Sequence, residues 1–298
     1  MKILRLGIVP LDFEIIAKSF EDENTGFSYD NFHFPEYVLV AAKLGYKVIE
    51  ITLDMAYIIP NSLSKETIEA LKAIRHEYKI SYTAHLPLWS IEPSSPVSYI
   101  RKASVETLVD AFHIIEELKP EYYVLHATGA LAAEFSRLNT NPKIKDLLMQ
   151  LLTGYAGDSL EQFIEKTDID PHRIAIEDIE FPWGYTRTLV DEFDTSICFD
   201  TGHLLAGYPG NFDFMEFVRM NSDKIREIHL HDGYRIEKNG QTQIADHIAL
   251  GEGKLPLKDF CNWLLKTNFD GPVIFEQSFK NASKSLQKLK DVCPNLLE

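Results

Sequence analysis

Eight strand-like segments alternate with helical ones along this chain, and that alternation restricts the fold more than any other property of the sequence. Residues 4–9, 47–53, 80–85, 122–126, 173–177, 196–200, 225–230 and 272–276 are short apolar runs. Helical patterns fill residues 35–44, 65–77, 97–118, 144–166, 186–193, 214–221, 257–267 and 282–292, with Gly154 predicting a break in the fourth. Ser64 is placed to cap the second, followed by Glu66 and by Ile68, Leu71 and Ile74 at helical spacing. A helix that returns the chain between strands demands parallel pairing, and strands buried on both faces read as continuous apolar runs. The expected fold class is therefore α/β. It is a single (β/α)8 TIM barrel over residues 1–298, with an irregular, polar insert at about residues 11–34.

Six consecutive strand-like segments end in a potential metal ligand: His85, His126, Glu177, Asp200, His229 and Glu276. In a parallel barrel, functional groups gather at these C-terminal strand ends. Asp200 and His203 lie three residues apart in the stretch SICFDTGH, from a strand end into the following turn. Strand alternation turns His231 the same way as His229, which makes it a further candidate. A single strand-end histidine is more often a packed structural residue than a ligand; six such positions on successive strands defeat that explanation. Carboxylates gathered in one mouth repel each other strongly unless a cation lies between them. Imidazole with carboxylate suits zinc, manganese, iron or cobalt better than calcium or magnesium. Zinc or manganese is the expected cofactor.

The formal net charge of −15 repels a polyphosphate backbone and counts against a nucleic-acid substrate. No stretch approaches the length of a membrane span. Three cysteines make no disulfide framework, so a reducing, cytoplasmic setting is expected, with Cys198, Cys261 and Trp263 as packing residues. His33, His76, His113 and His172 fall where surface or packing roles suffice. Asp178 and Glu180 either orient ligand histidines or are solvated loop charges, the latter favoured for Glu180. Glu50 and Asp54 near the second strand have no diagnostic spacing.

The pattern resembles the xylose isomerase-like TIM barrels, which include endonuclease IV-type AP endonucleases and many sugar isomerases and epimerases. The resemblance implies a metal set of Glu177, Asp200, His229 and Glu276, shared with the isomerases. Likeness to the endonuclease IV type adds His85 and His126, with Glu177 bridging two ions. It also implies a third group of His203 and His247, the latter in the run ADHIALGEG. There the chain departs from the family: Ala245 stands where an aspartate is usual, and Asp246 is shifted beside the histidine. Neighbouring residues on a regular strand point to opposite faces, which sets this position against a third ion. A narrower likeness, through HLPLW, residues 101–107, YVLH, EDIEFPW and DTGHLL, is to cobamide-remodelling phosphodiesterases.

The resemblance implies a phosphoester hydrolase with two or three metal ions, acting on a small or nucleotide-like substrate; Glu177 and Glu276 are the catalytic candidates, and in an isomerase they would be the acid–base pair. Trp89, Trp183 and Tyr234 are the expected apolar walls for the ligand. Arg235, Lys238 and Lys254 are cations available to a phosphate. The alternative is a sugar or sugar-phosphate isomerase or epimerase with one metal and paired acid–base groups. An endonuclease acting on DNA ranks third, because it needs a basic mouth.

Overall fold

The computed structural model describes residues 3–10, 17, 20–22, 26–238 and 240–297. Much of the insert expected at 11–34 lies outside the described residues. Eight parallel strands form a closed barrel: β1 Arg5–Ile8, β2 Val48–Thr52, β3 Ser81–His85, β4 Tyr123–Leu125, β5 Ile174–Glu177, β6 Ser196–Asp200, β7 Ile225–His229 and β8 Pro272–Phe275. Neighbours in sequence are neighbours in the barrel, and β1 closes the ring by pairing with both β8 and β2. At this seam Gly7 admits no side chain, because a Cβ there would lie 2.4 Å from Ile274 Cδ1 and 2.6 Å from the Val48 carbonyl oxygen.

The surrounding helices are α1 Phe34–Lys43, α2 Lys65–Tyr78, α3 Ser98–Ile115, α4 Pro142–Thr167, α5 Trp183–Glu192, α6 Phe214–Asn221, α7 Leu257–Thr267 and α8 Phe279–Val292. Ser64 caps α2 as expected, its hydroxyl accepting the Thr67 amide at 3.2 Å. The strands' outer faces, with Ile49, Ile51, Tyr82, Ile176, Phe199 and Phe275, share one apolar core with the helices. The inner faces hold small apolar clusters, Val124 with Ala175 and Cys198, and Val48 with Val9 and Ile274.

Three expectations need correction. Helix α4 runs unbroken through Gly154, because one glycine costs about 1 kcal/mol while Met149, Leu152, Leu160 and Phe163 on the buried face hold both halves. The segment after β7, to which the eightfold pattern assigns neither strand nor helix, is an antiparallel hairpin of Asp232–Lys238 and Gln241–Ile248. Its signal was the Asn239–Gly240 dipeptide between two extended runs. Finally, Cys261 of α7 is bonded to Cys293, just beyond α8, so it is a disulfide partner rather than only a packing residue; Cys198 is the free, buried thiol. Among the described residues no helix is long and apolar enough to cross a membrane.

Denatured but unreduced protein should titrate one thiol per chain, and reduced protein three. Closing a span of 32 residues limits the unfolded chain, so Cys261→Ala with Cys293→Ala should lower stability by about 2–4 kcal/mol in denaturant titrations.

Candidate metal centre

Alternation along each strand carries the ligand candidates to one end of the barrel lumen. His85, Glu177, Asp200 and His229 are the last residues of β3, β5, β6 and β7, while His126 and Glu276 stand one residue past β4 and β8. Their side chains converge. Glu177 is buried, and its two oxygens face different partners. Oε2 lies 2.7 Å from His126 Nε2 and 3.3 Å from His85 Nε2. Oε1 lies 3.0 Å from His229 Nδ1 and 3.6 Å from His203 Nδ1. Glu276 Oε2 is 3.2 Å from His229 Nδ1 and 3.3 Å from His247 Nε2.

Three groups of side chains bring ligand atoms within 4.8 Å of one another: His85, His126 and Glu177; Glu177, Asp200, His229 and Glu276; and His203 and His247, which the shifted Asp246 joins. The donor types suit a transition metal, and the buried His203 Nδ1 has no hydrogen-bond partner, so these residues fit such an ion. The third group forms despite Ala245. His247 adopts a left-handed backbone with φ of 51°, which breaks strand alternation and turns Asp246 and His247 toward the same histidine. A regular strand would have separated them.

Several supporting residues were not singled out as site residues from sequence. His85 Nδ1 donates to the Leu86 carbonyl at 2.9 Å, which turns Nε2 to Glu177. Glu50 lies 3.2 Å from His229 Nε2, so the opposite nitrogen of that ring faces Glu177 and Glu276. Glu227, two residues before His229 on the same strand face, is buried beneath it with no direct partner for either oxygen. A carboxylate inside an apolar strand, as in VIEIT and IREIH, was the available signal. Asp178 Oδ1 accepts the Asp200 amide at 2.6 Å, so it supports a candidate ligand, whereas Glu180 pairs with exposed Arg137 as a loop charge. Asp54 accepts the amides of Leu88 and Trp89 and fixes the loop after β3.

The expected substrate walls fare unevenly. Trp183 is 3% exposed and packs on Phe217 with ring centroids 4.9 Å apart, so it is a core residue of α5 and not a wall of the mouth. Trp89 is 52% exposed on the β3 loop. Tyr234 and Arg235 lie on the hairpin, Tyr234 partly buried opposite Ala245 and Arg235 exposed near Gly207.

Burial works against charge throughout this centre, and partners decide the result. Burial opposes protonation of His85, but its hydrogen bond to Glu177 and the nearby carboxylates raise it from 6.5 to about 9. Burial likewise opposes ionisation of Glu177, yet His229 and His126 hold it well below the usual carboxylate range. Asp178 has no such cation: burial and then Asp200 push it well above that range. Burial and Glu50 do the same to Glu227.

This chain belongs to the xylose isomerase-like TIM barrel family, whose model matches residues 38–292. Its relatives include an uncharacterized protein of Methanocaldococcus jannaschii, 25% identical over 242 residues, which cover 77% of this chain and 75% of that one. A protein described as probable endonuclease 4 of a Sulfurihydrogenibium species is 25% identical over 221 residues, 68% of this chain and 73% of its own. Among solved structures, a D-tagatose 3-epimerase-like protein superposes with a TM-score of 0.69 at 20% identity, covering 98% of each chain. Endonuclease IV from Thermus thermophilus does so with 0.65 at 16% identity, covering 98% of this chain and 99% of its own. At these identities the structural likeness speaks for the fold.

Two outcomes test the centre. Asp178→Asn retains an acceptor for the Asp200 amide and should change unfolding stability by less than about 1 kcal/mol, whereas Asp178→Ala strands that amide and should cost about 1–3 kcal/mol. In chelator-stripped protein, the raised His85 contributes stability that is complete below 6.5 and lost as pH rises through about 9. The depressed Glu177 contributes stability present above 4.5 and lost as pH falls. The stripped protein should therefore be most stable between these two values. Addition of zinc, which binds neutral imidazole, should abolish the alkaline loss in denaturant titrations across pH.

Proposed function

We propose that this protein is a metal-dependent phosphoester hydrolase acting on a small or nucleotide-like substrate. The observation that supports this reading best is the division of the Glu177 carboxylate, with Oε2 toward His85 and His126 and Oε1 toward His229 and His203. One carboxylate facing two imidazole sets occupies a bridging position, and a one-metal isomerase site has no use for the first set. His85, His126 and Glu177 would hold one divalent ion, zinc or manganese. Glu177, Asp200, His229 and Glu276 would hold a second, and His203, Asp246 and His247 a third. Bound ions in such sites activate water and offset charge on the attacking and leaving oxygens.

The chain's own side chains complete the chemistry. Glu177 fixes the separation of the two ligand groups. Glu276, 27% exposed, stands at the rim of the centre and takes the proton of the attacking water. Arg235 on the hairpin after β7 and Trp89 on the loop after β3 are the candidate substrate contacts, one suited to a phosphate and the other to an apolar or ring-shaped moiety. The net charge of −15 favours a compact substrate over a nucleic acid.

A sugar or sugar-phosphate isomerase or epimerase is the second reading. It is favoured by the completeness of the group Glu177, Asp200, His229 and Glu276 without any other residue.

Elemental analysis and an activity panel separate the two. We expect at least two equivalents of metal per chain, one of them lost in His85→Ala with His126→Ala. We expect hydrolysis within a panel of phosphomonoesters, phosphodiesters and cobamides supplied with zinc, manganese or cobalt. Glu177→Ala should release metal from both groups and reduce hydrolysis to background. One equivalent that the double variant leaves unchanged, together with sugar isomerisation and no phosphoester cleavage, would establish the second reading instead.

A further inference from the structure

We infer that His231 is a positioning residue and not a metal ligand: one of its ring nitrogens fixes Asp200, and the other fixes the hairpin that carries Asp246 and His247. The inference rests on the proposed function only in assigning Asp200 to a metal group. By proximity alone His231 would count as a ligand, since its ring lies within 4.8 Å of ligand atoms of Asp200, His247 and Glu276. Its hydrogen bonds assign it otherwise. The His247 backbone amide points at His231 Nδ1 from 2.9 Å, and an amide can only donate. Nδ1 is therefore the unprotonated nitrogen; the Asp232 carbonyl lies farther off, at 3.4 Å, and could accept only from an Nδ1–H that would clash with the closer amide proton. The ring proton belongs on Nε2, 2.8 Å from Asp200 Oδ2. Both nitrogens are committed, and no lone pair is left for a cation.

The surroundings hold the ring in this one pose. His231 is fully buried and stacks on His247 with centroids 4.1 Å apart and planes at 17°. Against its Nδ1–Cε1 edge lies Gly202, where a Cβ would stand 2.1 Å from the imidazole, so the glycine of DTGH admits this ring. The Thr201 hydroxyl accepts the His231 amide at 3.0 Å and donates to its carbonyl at 2.6 Å. Asp200 Oδ1 is taken by the His203 amide at 2.7 Å, which leaves His231 to orient the second oxygen. At the hairpin, the His247 carbonyl accepts from Gln277 Nε2 at 3.3 Å while its amide is bound to His231. These two bonds pin the left-handed turn that aims Asp246 and His247 at His203. One imidazole thus registers the hairpin ligands against the barrel ligands.

Two substitutions divide the roles, because an asparagine oxygen can stand for Nδ1 and a glutamine amide for Nε2–H. His231→Asn should keep the His247 amide protected from hydrogen exchange but weaken zinc binding roughly 10–100-fold in competition with a chromophoric chelator. His231→Gln should bind zinc closer to the wild-type level, while the His247 amide exchanges roughly tenfold faster. The imidazole 15N spectrum of the wild type should show the His231 ring proton on Nε2 and not on Nδ1. Equal loss of a zinc equivalent in both variants would mark His231 as a ligand and overturn the inference, as would an Nδ1–H tautomer or an unaltered His247 amide in His231→Gln. If the wild-type protein binds none of zinc, manganese and cobalt, the hydrolase reading fails by itself, and the tautomer and the amide exchange still decide the role of His231.

Discussion

Ionisable groups buried inside the barrel are the constraint on which the rest of this structure depends. Glu50, Glu177, Asp178, Asp200, Glu227 and Asp232 are each at most 1% exposed. A carboxylate taken out of water needs a cation, several donors or a proton of its own. All three solutions occur here. Glu177 and Glu276 are held ionised by imidazoles. Asp232 receives the backbone amides of Gly233, Gly251 and Leu255 at 2.8–2.9 Å. Asp178 and Glu227 are pushed toward the neutral acid by burial and by neighbouring carboxylates. A centre balanced in this way is poised for a further positive charge, because the histidines now sharing protons with carboxylates can exchange those protons for metal ions.

The same logic shapes the loops around the mouth. Asp54 ties the end of β2 to the loop after β3, Asp232 gathers the turn around Gly251, and Gln277 beyond β8 reaches the hairpin carbonyls of His247 and Ile248. Each tie joins segments that follow different strands. The rim is therefore built from side chain to backbone bonds between loops, and a ligand residue on one segment is placed by another.

Most of the barrel could be read from the chain because strands buried on both faces are short apolar runs, and every expected strand lies within a residue or so of an observed one. The ligand candidates were legible for a related reason: charge at the end of such a run has few purposes. What escaped depends on distant partners. Trp183 follows a candidate ligand strand in sequence, but helix α5 begins there and turns the indole onto Phe217. The disulfide requires α7 and the end of α8 to lie side by side, which spacing does not disclose. Asp178 supports its neighbour through the backbone of another strand, and the left-handed turn at His247 depends on His231 and Gln277. Isolated strand periodicity argued against that turn, and tertiary hydrogen bonds overrode it.

The seam of the barrel has a kinetic consequence. Arg5 pairs with Pro272, so the ring closes between residues almost a chain length apart, and the pairing of β1 with β2 does nothing to shorten that search. Contacts of such sequence separation make folding slow. Until β8 arrives, β1 offers an unpaired edge and the strand-end carboxylates lack their full complement of partners. Partly assembled chains in that interval are open to edge-to-edge association. Gly7, by letting β8 and β2 close in on β1 without obstruction, removes one steric obstacle from the last step of assembly.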